Sequence, residues 1–364
     1  MQIRAAVFRD KTGKPSIENL ELKGPGPGEV LVKMVATGVC HTDIKVAGSD
    51  MSPRPVVLGH EGAGIVEEVG PGVREFRKGD HVVMSFGYCG MCPSCREAEP
   101  AYCYSQNDHN FRCERVDAEP YLASDQGPVH GDFFSQSSFA TYAIGNERSV
   151  VKVTKDAPLE YLGPLGCGIQ TGAGAVLNDL KLKQGQSITV YGVGSLGLSA
   201  VMAARLAGAS KIIAVDRHQS RLAMAKELGA DEIIQAGNDP VTDEVRTHAP
   251  DGVDFTLDTT GAIQVTRQTL DVLAPRGTSA FVTGPLDGSE ISFSPRILMP
   301  GLKFRGIIEG NSNPKVFIPQ MIEHYLNGHF PFDKLITFYE FDEIEKAIHD
   351  SETGETIKPV LKFN

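Results

Sequence analysis

The chain has 364 residues, 41% of them hydrophobic and 22% charged, a globular mix that provides for a real core and excludes collagen-like, low-complexity and disordered readings. The formal net charge of -11 gives no basic footprint for nucleic acid and favours a small-molecule partner. No run reaches the roughly 18 consecutive apolar residues of a membrane-spanning helix, and the N-terminus, with Arg4, Arg9, Lys11 and Lys14, lacks the apolar core of a secretory signal, so the expected compartment is the cytoplasm.

In chain order, the first third reads as short β-strands, Ala5 to Phe8, Glu29 to Val35, Ala63 to Val69 and His81 to Ser85, separated by Gly- and Pro-rich turns. This portion is expected to be a β-rich barrel or sandwich. Within it, Cys89-x2-Cys92-x2-Cys95-x7-Cys103 brings four of the seven cysteines into one short loop. Four thiolates at this spacing suit a closed tetrahedral zinc, with an iron-sulfur cluster as the competing occupant. Three further metal-binding side chains, Cys40, His60 and Cys167, are too scattered for spacing alone to join them.

From about residue 170 strands and helices alternate, implying βαβ units and a parallel sheet. Ser187 to Tyr191 reads as a strand, Leu196 to Leu206 as a helix, Lys211 to Val215 as a strand and Ser220 to Leu228 as a helix stopped by Gly229. Later strands are expected at Glu232 to Ile234, Phe255 to Leu257, Ser279 to Val282 and Lys303 to Ile308, and the tail ends in an extended segment from Ile357 to Phe363. Gly192-Val193-Gly194-Ser195-Leu196-Gly197 directly follows a strand and opens a helix, the context in which G-x-G-x-x-G packs a backbone turn against a pyrophosphate. Asp216, 19 residues beyond Gly197 at the end of the next strand, is placed to accept hydrogen bonds from an adenosine ribose and to repel a 2'-phosphate. NAD is therefore expected over NADP, with neighbouring Arg217 softening the preference.

Gly59-His60-Glu61-Gly62-Ala63-Gly64, followed by Gly70 and Val73, resembles the zinc signature of the medium-chain alcohol dehydrogenases, and the likeness runs through nearly the whole chain. The segments Val39 to Asp43, Gly131 to Tyr142, Leu162 to Asn178 and Phe330 to Leu335 resemble the aryl- or benzyl-alcohol dehydrogenase branch. The resemblance implies an α/β protein: a β-rich GroES-like catalytic domain (residues 1-168 and 309-364, with a structural zinc lobe at about 88-104) and a Rossmann doubly wound parallel sheet (169-308) that binds NAD. It implies two zinc ions, one catalytic on Cys40, His60 and Cys167, with Glu61 as alternative ligand, and one structural on Cys89, Cys92, Cys95 and Cys103. Cys113 is left unassigned.

By the same resemblance Thr42 receives the substrate proton and Asp43 orients His60. His41 and Lys358 reach the cofactor pyrophosphate, Thr171 packs near the nicotinamide, and Gly192, Gly194, Gly197, Asp216, Arg217 and Thr283 complete the cofactor site. Met51, Phe133, Phe134 and Ile308 are expected around the substrate. An open three-ligand zinc lowers the pKa of a bound hydroxyl, so the implied activity is hydride transfer between a primary aryl or allylic alcohol and NAD. One departure stands out: where many family members carry a histidine that passes the proton to water, this chain has Lys45. The competing expectations are a glutathione-dependent formaldehyde dehydrogenase and, more remotely, a non-catalytic zinc-binding regulatory protein. A homodimer or homotetramer is expected, with strands near Leu302 to Ile308 pairing across subunits.

Overall fold

The computed structural model describes residues 1-115, 120-284 and 288-363. The chain divides into two compact units, one of Met1–Gly168, Asn313–Leu326 and Asp333–Asn364, the other of Ile169–Ser312 and Asn327–Phe332.

The first unit is built on two sheets. One runs in the order Val56–Val57, Gln2–Phe8, Ser16–Leu22, Leu122–Ser124, Gly127–Val129. In the other, Val150–Lys152, His81–Met84, Glu61–Val69, Glu29–Gly38, Lys358–Lys362 and Ile336–Glu340 lie side by side, and Tyr142–Asn146 also pairs with Glu29–Gly38. Glu29–Gly38 is the central strand, paired with three partners, which is why EVLVKMVATG is buried almost throughout and not in strict alternation. Its register against Glu61–Val69 slips twice, between Leu31 and Val32 and between Met34 and Ala36, and such irregularities bend a strand. The bent strand ends at Gly38, so the chain turns there and starts the short helix His41–Ala47. Val7, Phe8, Leu20, Leu58, Phe133, Phe139 and Ile144 belong to the core cluster of this unit.

The second unit is a six-stranded parallel sheet in the order Glu232–Gln235, Lys211–Asp216, Ser187–Tyr191, Val253–Asp258, Leu273–Phe281, Lys303–Gly306. The chain starts in the middle, works to one edge, then crosses to work toward the other, so the strand order reverses beside Ser187–Tyr191. That reversal is where doubly wound sheets open a crevice for a dinucleotide at their carboxyl ends. The expected strands are all present. The helices run Ser195–Leu206 and Gln219–Glu227, with Gly229 at φ 118° just beyond the latter. The expected strand from Lys303 to Ile308 stops at Gly306 because the chain turns away there. Among the described residues no helix is long and apolar enough to cross a membrane.

Candidate active site

The strand Glu29–Gly38 delivers Cys40 to the N-terminus of the helix His41–Ala47, and Asp43, in its first turn, reaches back. The backbone N–H of Cys40 donates to Asp43 Oδ2 at 3.0 Å. The other carboxylate oxygen accepts from the N–H of Gly59 at 3.0 Å and from His60 Nδ1 at 2.8 Å. Gly59 is in the left-handed region at φ 92°, and a Cβ there would lie 2.5 Å from Phe139 N, so only glycine lets the chain pass this point and present His60. One buried carboxylate thus ties together the two segments that carry Cys40 and His60.

With its proton on Nδ1, His60 has a lone pair on Nε2, and that atom is buried without a hydrogen-bond partner among the described residues. Cys167 follows the 3-10 turn Gly163–Gly166, which is held by Ser85 Oγ donating to Gly166 O at 2.6 Å. The ligand atoms of Cys40, His60 and Cys167 all lie within 4.8 Å of one another. The hydrogen bond from Cys167, with the fields of His60 and Lys358, holds the Cys40 thiol well below its usual range despite burial. Two soft thiols and an orphaned imidazole nitrogen form a donor set that zinc fits, one ligand short of tetrahedral closure.

Two layers support this cluster. Phe134 stacks on the His60 ring at 4.4 Å and Phe133 meets its edge at 5.4 Å. Gln136, fully buried, donates through Nε2 to His60 O at 3.0 Å and Ser85 O at 3.3 Å and accepts the N–H of Gly62 at 3.1 Å. Gln136 clamps the histidine segment to the Ser85 segment that carries the Cys167 turn. Nothing in its local sequence announces this, since an isolated glutamine carries no spacing signal.

Several expected site residues have partners of their own in the fold. Phe133 and Phe134, expected to line the substrate, are 0% and 4% exposed in the core, where the ring of His60 covers them. Lys358, expected at a pyrophosphate, is 2% exposed and donates to both oxygens of Glu61 at 2.9 Å and to Val39 O at 3.2 Å. A lysine buried this deeply needs a paired anion, and Glu61 supplies it. Burial lowers the Lys358 pKa, but the charges of Glu61, Cys40 and Cys167 and the hydrogen bond to Glu61 together raise it; burial raises that of Glu61. Glu61, expected as an alternative zinc ligand, is turned onto this ammonium and onto the N–H of Gly168 at 3.3 Å, outside the Cys40, His60 and Cys167 group. Thr42 is partly buried next to Cys40, while His41 and Lys45 are exposed on the same helix. Met51 and Ile308 are 39% and 42% exposed.

The second metal-binding group is local. Cys89, Cys92, Cys95 and Cys103 also have their sulfurs within 4.8 Å of one another, on a lobe carrying the turn of helix Pro93–Arg96 and the 3-10 turn Pro100–Tyr102. Cys89 Sγ accepts backbone N–H bonds from Met91 and Cys92 at 3.4 and 3.3 Å, which favours the thiolate. Backbone hydrogen bonds hold Cys92 down at about 6, and burial drives Cys95 up to about 12. Cys113 belongs to neither group: it is buried, its thiol is pushed up to about 12 by burial, and it donates to Phe111 O at 3.4 Å.

In the second unit, Gly192 is at φ 81°, and a Cβ on Gly197 would lie 1.9 Å from Gly192 O, so the turn and the helix behind it meet backbone to backbone. Gly194 precedes the first helical residue, Ser195. Asp216 ends its strand buried, its oxygens accepting the N–H of Val193 at 2.7 Å and of His218 at 2.8 Å. It therefore shapes the glycine turn. Arg217 is exposed and donates to Asn238 Oδ1 at 2.9 Å. Thr283 is half-buried just after the strand Leu273–Phe281. Thr171 is buried, and its hydroxyl donates to Glu309 Oε2 at 3.3 Å, a partner that sequence reasoning missed.

Residues 26-155 match the family model "Alcohol dehydrogenase GroES-like domain" and residues 195-326 match "Zinc-binding dehydrogenase". A geraniol dehydrogenase of Castellaniella defragrans is 42% identical across 99% of this chain and 97% of its own length. The chain belongs to the zinc-dependent medium-chain alcohol dehydrogenases. Two crystal structures extend the likeness: benzyl alcohol dehydrogenase from Acinetobacter calcoaceticus (45% identity, TM-score 0.96, all of both chains) and an alcohol dehydrogenase zinc-binding domain protein from Burkholderia ambifaria (47% identity, TM-score 0.97, all of this chain and 99% of that one). The protein is accordingly a zinc-dependent oxidoreductase of alcohols, with the GroES-like and Rossmann architecture of its family.

Proposed function

We propose that the enzyme oxidises primary aryl or allylic alcohols to aldehydes with NAD, using a catalytic zinc on Cys40, His60 and Cys167 and a structural zinc on Cys89, Cys92, Cys95 and Cys103. The observation that carries this reading is the buried, partnerless His60 Nε2 aimed into a group with two thiols. When bound, zinc supplies a Lewis acid that lets an alcohol ionise near neutral pH, and NAD supplies the hydride acceptor. The residues of the chain do the rest. Asp43 holds His60 in the tautomer that leaves Nε2 for the metal. Thr42, beside Cys40, receives the hydroxyl proton, which leaves through His41 or directly to water, since Lys45 stands where many family members carry a histidine. Asp216 favours a free ribose 2'-hydroxyl, with Arg217 leaving some tolerance for NADP.

The names of the relatives support an aryl or allylic substrate, benzyl alcohol for one and geraniol for another. Met51 supplies exposed apolar surface for such a substrate. Lys303–Gly306 is the edge strand of its sheet, and exposed Met299 and Ile308 flank it, which supports a homodimer or homotetramer paired through that edge. The acidic composition supports a small-molecule partner over a nucleic acid. The test is an NADH-formation screen with benzyl, cinnamyl, geraniol-like and short aliphatic alcohols, each with NAD and NADP. Catalytic efficiency should favour benzyl or cinnamyl alcohol over ethanol by at least about tenfold, the factor given by about 1.4 kcal/mol of transition-state binding. Equal efficiency with ethanol would remove the substrate assignment, and higher efficiency with NADP the cofactor assignment.

A further inference from the structure

In the second unit the chain leaves its last strand at Gly306 and then places three successive residues in the left-handed region: Glu309 at φ 47°, Gly310 at 63° and Asn311 at 48°. Side chains seldom adopt this conformation, so a run of three has to be imposed by its surroundings. The surroundings are visible. A Cβ on Gly310 would meet Gln170 O at 2.5 Å and Thr171 O at 2.9 Å, which presses the turn directly against the backbone of the helical segment at 169-174. Asn311 donates to Asp179 Oδ2 at 3.4 Å, and Arg305 pairs with that same oxygen at 2.9 Å, pinning the turn from the other side. What this geometry delivers is one carboxylate: Glu309 Oε2 accepts from Thr171 Oγ1 at 3.3 Å and from Gln170 Nε2 at 3.5 Å. Both neighbours are donors, so they match a charged oxygen.

The position of this anion in the sheet gives it a role. In a doubly wound sheet each half carries one half of the dinucleotide over its carboxyl strand ends. Gly192 to Gly197 and Asp216 belong to the half formed by Ser187–Tyr191, Lys211–Asp216 and Glu232–Gln235, which takes pyrophosphate and adenosine. The nicotinamide then falls to the half that ends at Asp258, Phe281 and Gly306, and Glu309 lies three residues past Gly306, bonded to Thr171. We infer that Glu309 discriminates between the redox states of the cofactor, its carboxylate favouring the cationic oxidised nicotinamide over the neutral reduced ring. This inference rests on the NAD-dependent reading above. Its consequence is tight capture of NAD and rapid release of NADH, which lessens product inhibition during alcohol oxidation.

The test measures dissociation constants of the zinc-loaded enzyme for NADH, by its fluorescence, and for NAD, by competition, in the wild type, Glu309→Gln and Glu309→Asp. Glutamine keeps the shape and hydrogen-bonding reach and removes the charge. Glu309→Gln should weaken NAD relative to NADH by about three- to tenfold, the range of a single charge acting over several ångströms in a partly solvated site. Glu309→Asp, which keeps the charge but draws it back, should show a smaller shift in the same direction, and it carries the test by itself where the glutamine variant does not fold. A ratio unchanged in both variants, or NAD and NADH weakened equally, overturns the inference and leaves Glu309 a structural residue. A wild type that binds neither dinucleotide overturns the NAD-dependent reading and this inference with it, an outcome told apart from the others by the wild-type titration.

Discussion

Removing the Asp43 carboxylate should weaken the catalytic zinc and the fold together, in amounts set by three hydrogen bonds. In Asp43→Ala, the N–H groups of Cys40 and Gly59 and Nδ1 of His60 lose an acceptor that lies 2.8 to 3.0 Å away, and the site is too buried for water to substitute freely. At about 1–3 kcal/mol for each buried donor left unpaired, the loss in stability should be about 3–9 kcal/mol, a large share of the roughly 5–15 kcal/mol that domains possess. His60 also loses the partner that keeps its proton on Nδ1, and removal of such a partner lowers metal affinity by about 10- to 100-fold. Asp43→Asn grades the effect. If its amide oxygen keeps the position facing Gly59 and His60, only the Cys40 N–H is left opposed by a donor, so stability should fall by only about 1–3 kcal/mol while zinc affinity drops about tenfold. Chelator competition on the zinc-loaded protein separates the two sites, with the four-cysteine lobe as an internal reference, and urea unfolding reads stability. Wild-type zinc retention and an unchanged urea midpoint in Asp43→Ala would show that the carboxylate does not organise the site.

Phe134→Ala should act first on stability, lowering it by about 3–5 kcal/mol as the truncation of a core aromatic does, and should loosen His60, on whose face the ring stacks; a changed benzyl-to-ethanol ratio with an unchanged melting temperature would instead place the ring at the substrate. Burial raises Asp132 from 3.8 to about 7, so the folded state keeps a proton that the unfolded chain gives up above about pH 4. Stability is therefore lost as pH rises from about 4 through 7, and Asp132→Asn, which cannot ionise and tolerates the φ of 66° there, should be more stable than the wild type at pH 8 and equal to it near pH 4. Thermal unfolding of both proteins across this range checks the sign, and a wild type more stable at pH 8 than its asparagine variant contradicts it.

What could be read from the sequence was what short-range spacing encodes. The four lobe cysteines lie within 15 residues, and the glycine turn between Tyr191 and Ser195 sits directly between a strand and a helix, so local pattern and tertiary site coincide. The family signature around His60 then linked residues that spacing could not, and Cys40, His60 and Cys167 do converge. The pairings that escaped notice are long-range. Lys358 meets Glu61 across 297 positions, Gln136 reaches His60 across 76 and Glu309 reaches Thr171 across 138, and no periodicity reports a contact closed only by folding. The burial of the two phenylalanines was hidden for a different reason. An adjacent Phe133-Phe134 pair in a loop is compatible with a pocket wall or a core anchor, and the left-handed backbone at Phe134 that turns its ring onto His60 leaves no trace in residue type.

The central claim is a division of labour between two metal groups, and the most direct measurement is zinc content beside NAD-linked turnover in Cys40→Ser. The account predicts one zinc per chain in place of two, circular dichroism like that of the wild type, and loss of NADH formation from benzyl alcohol. Full zinc content with wild-type turnover, or collapse of the fold on losing this one thiol, would contradict it.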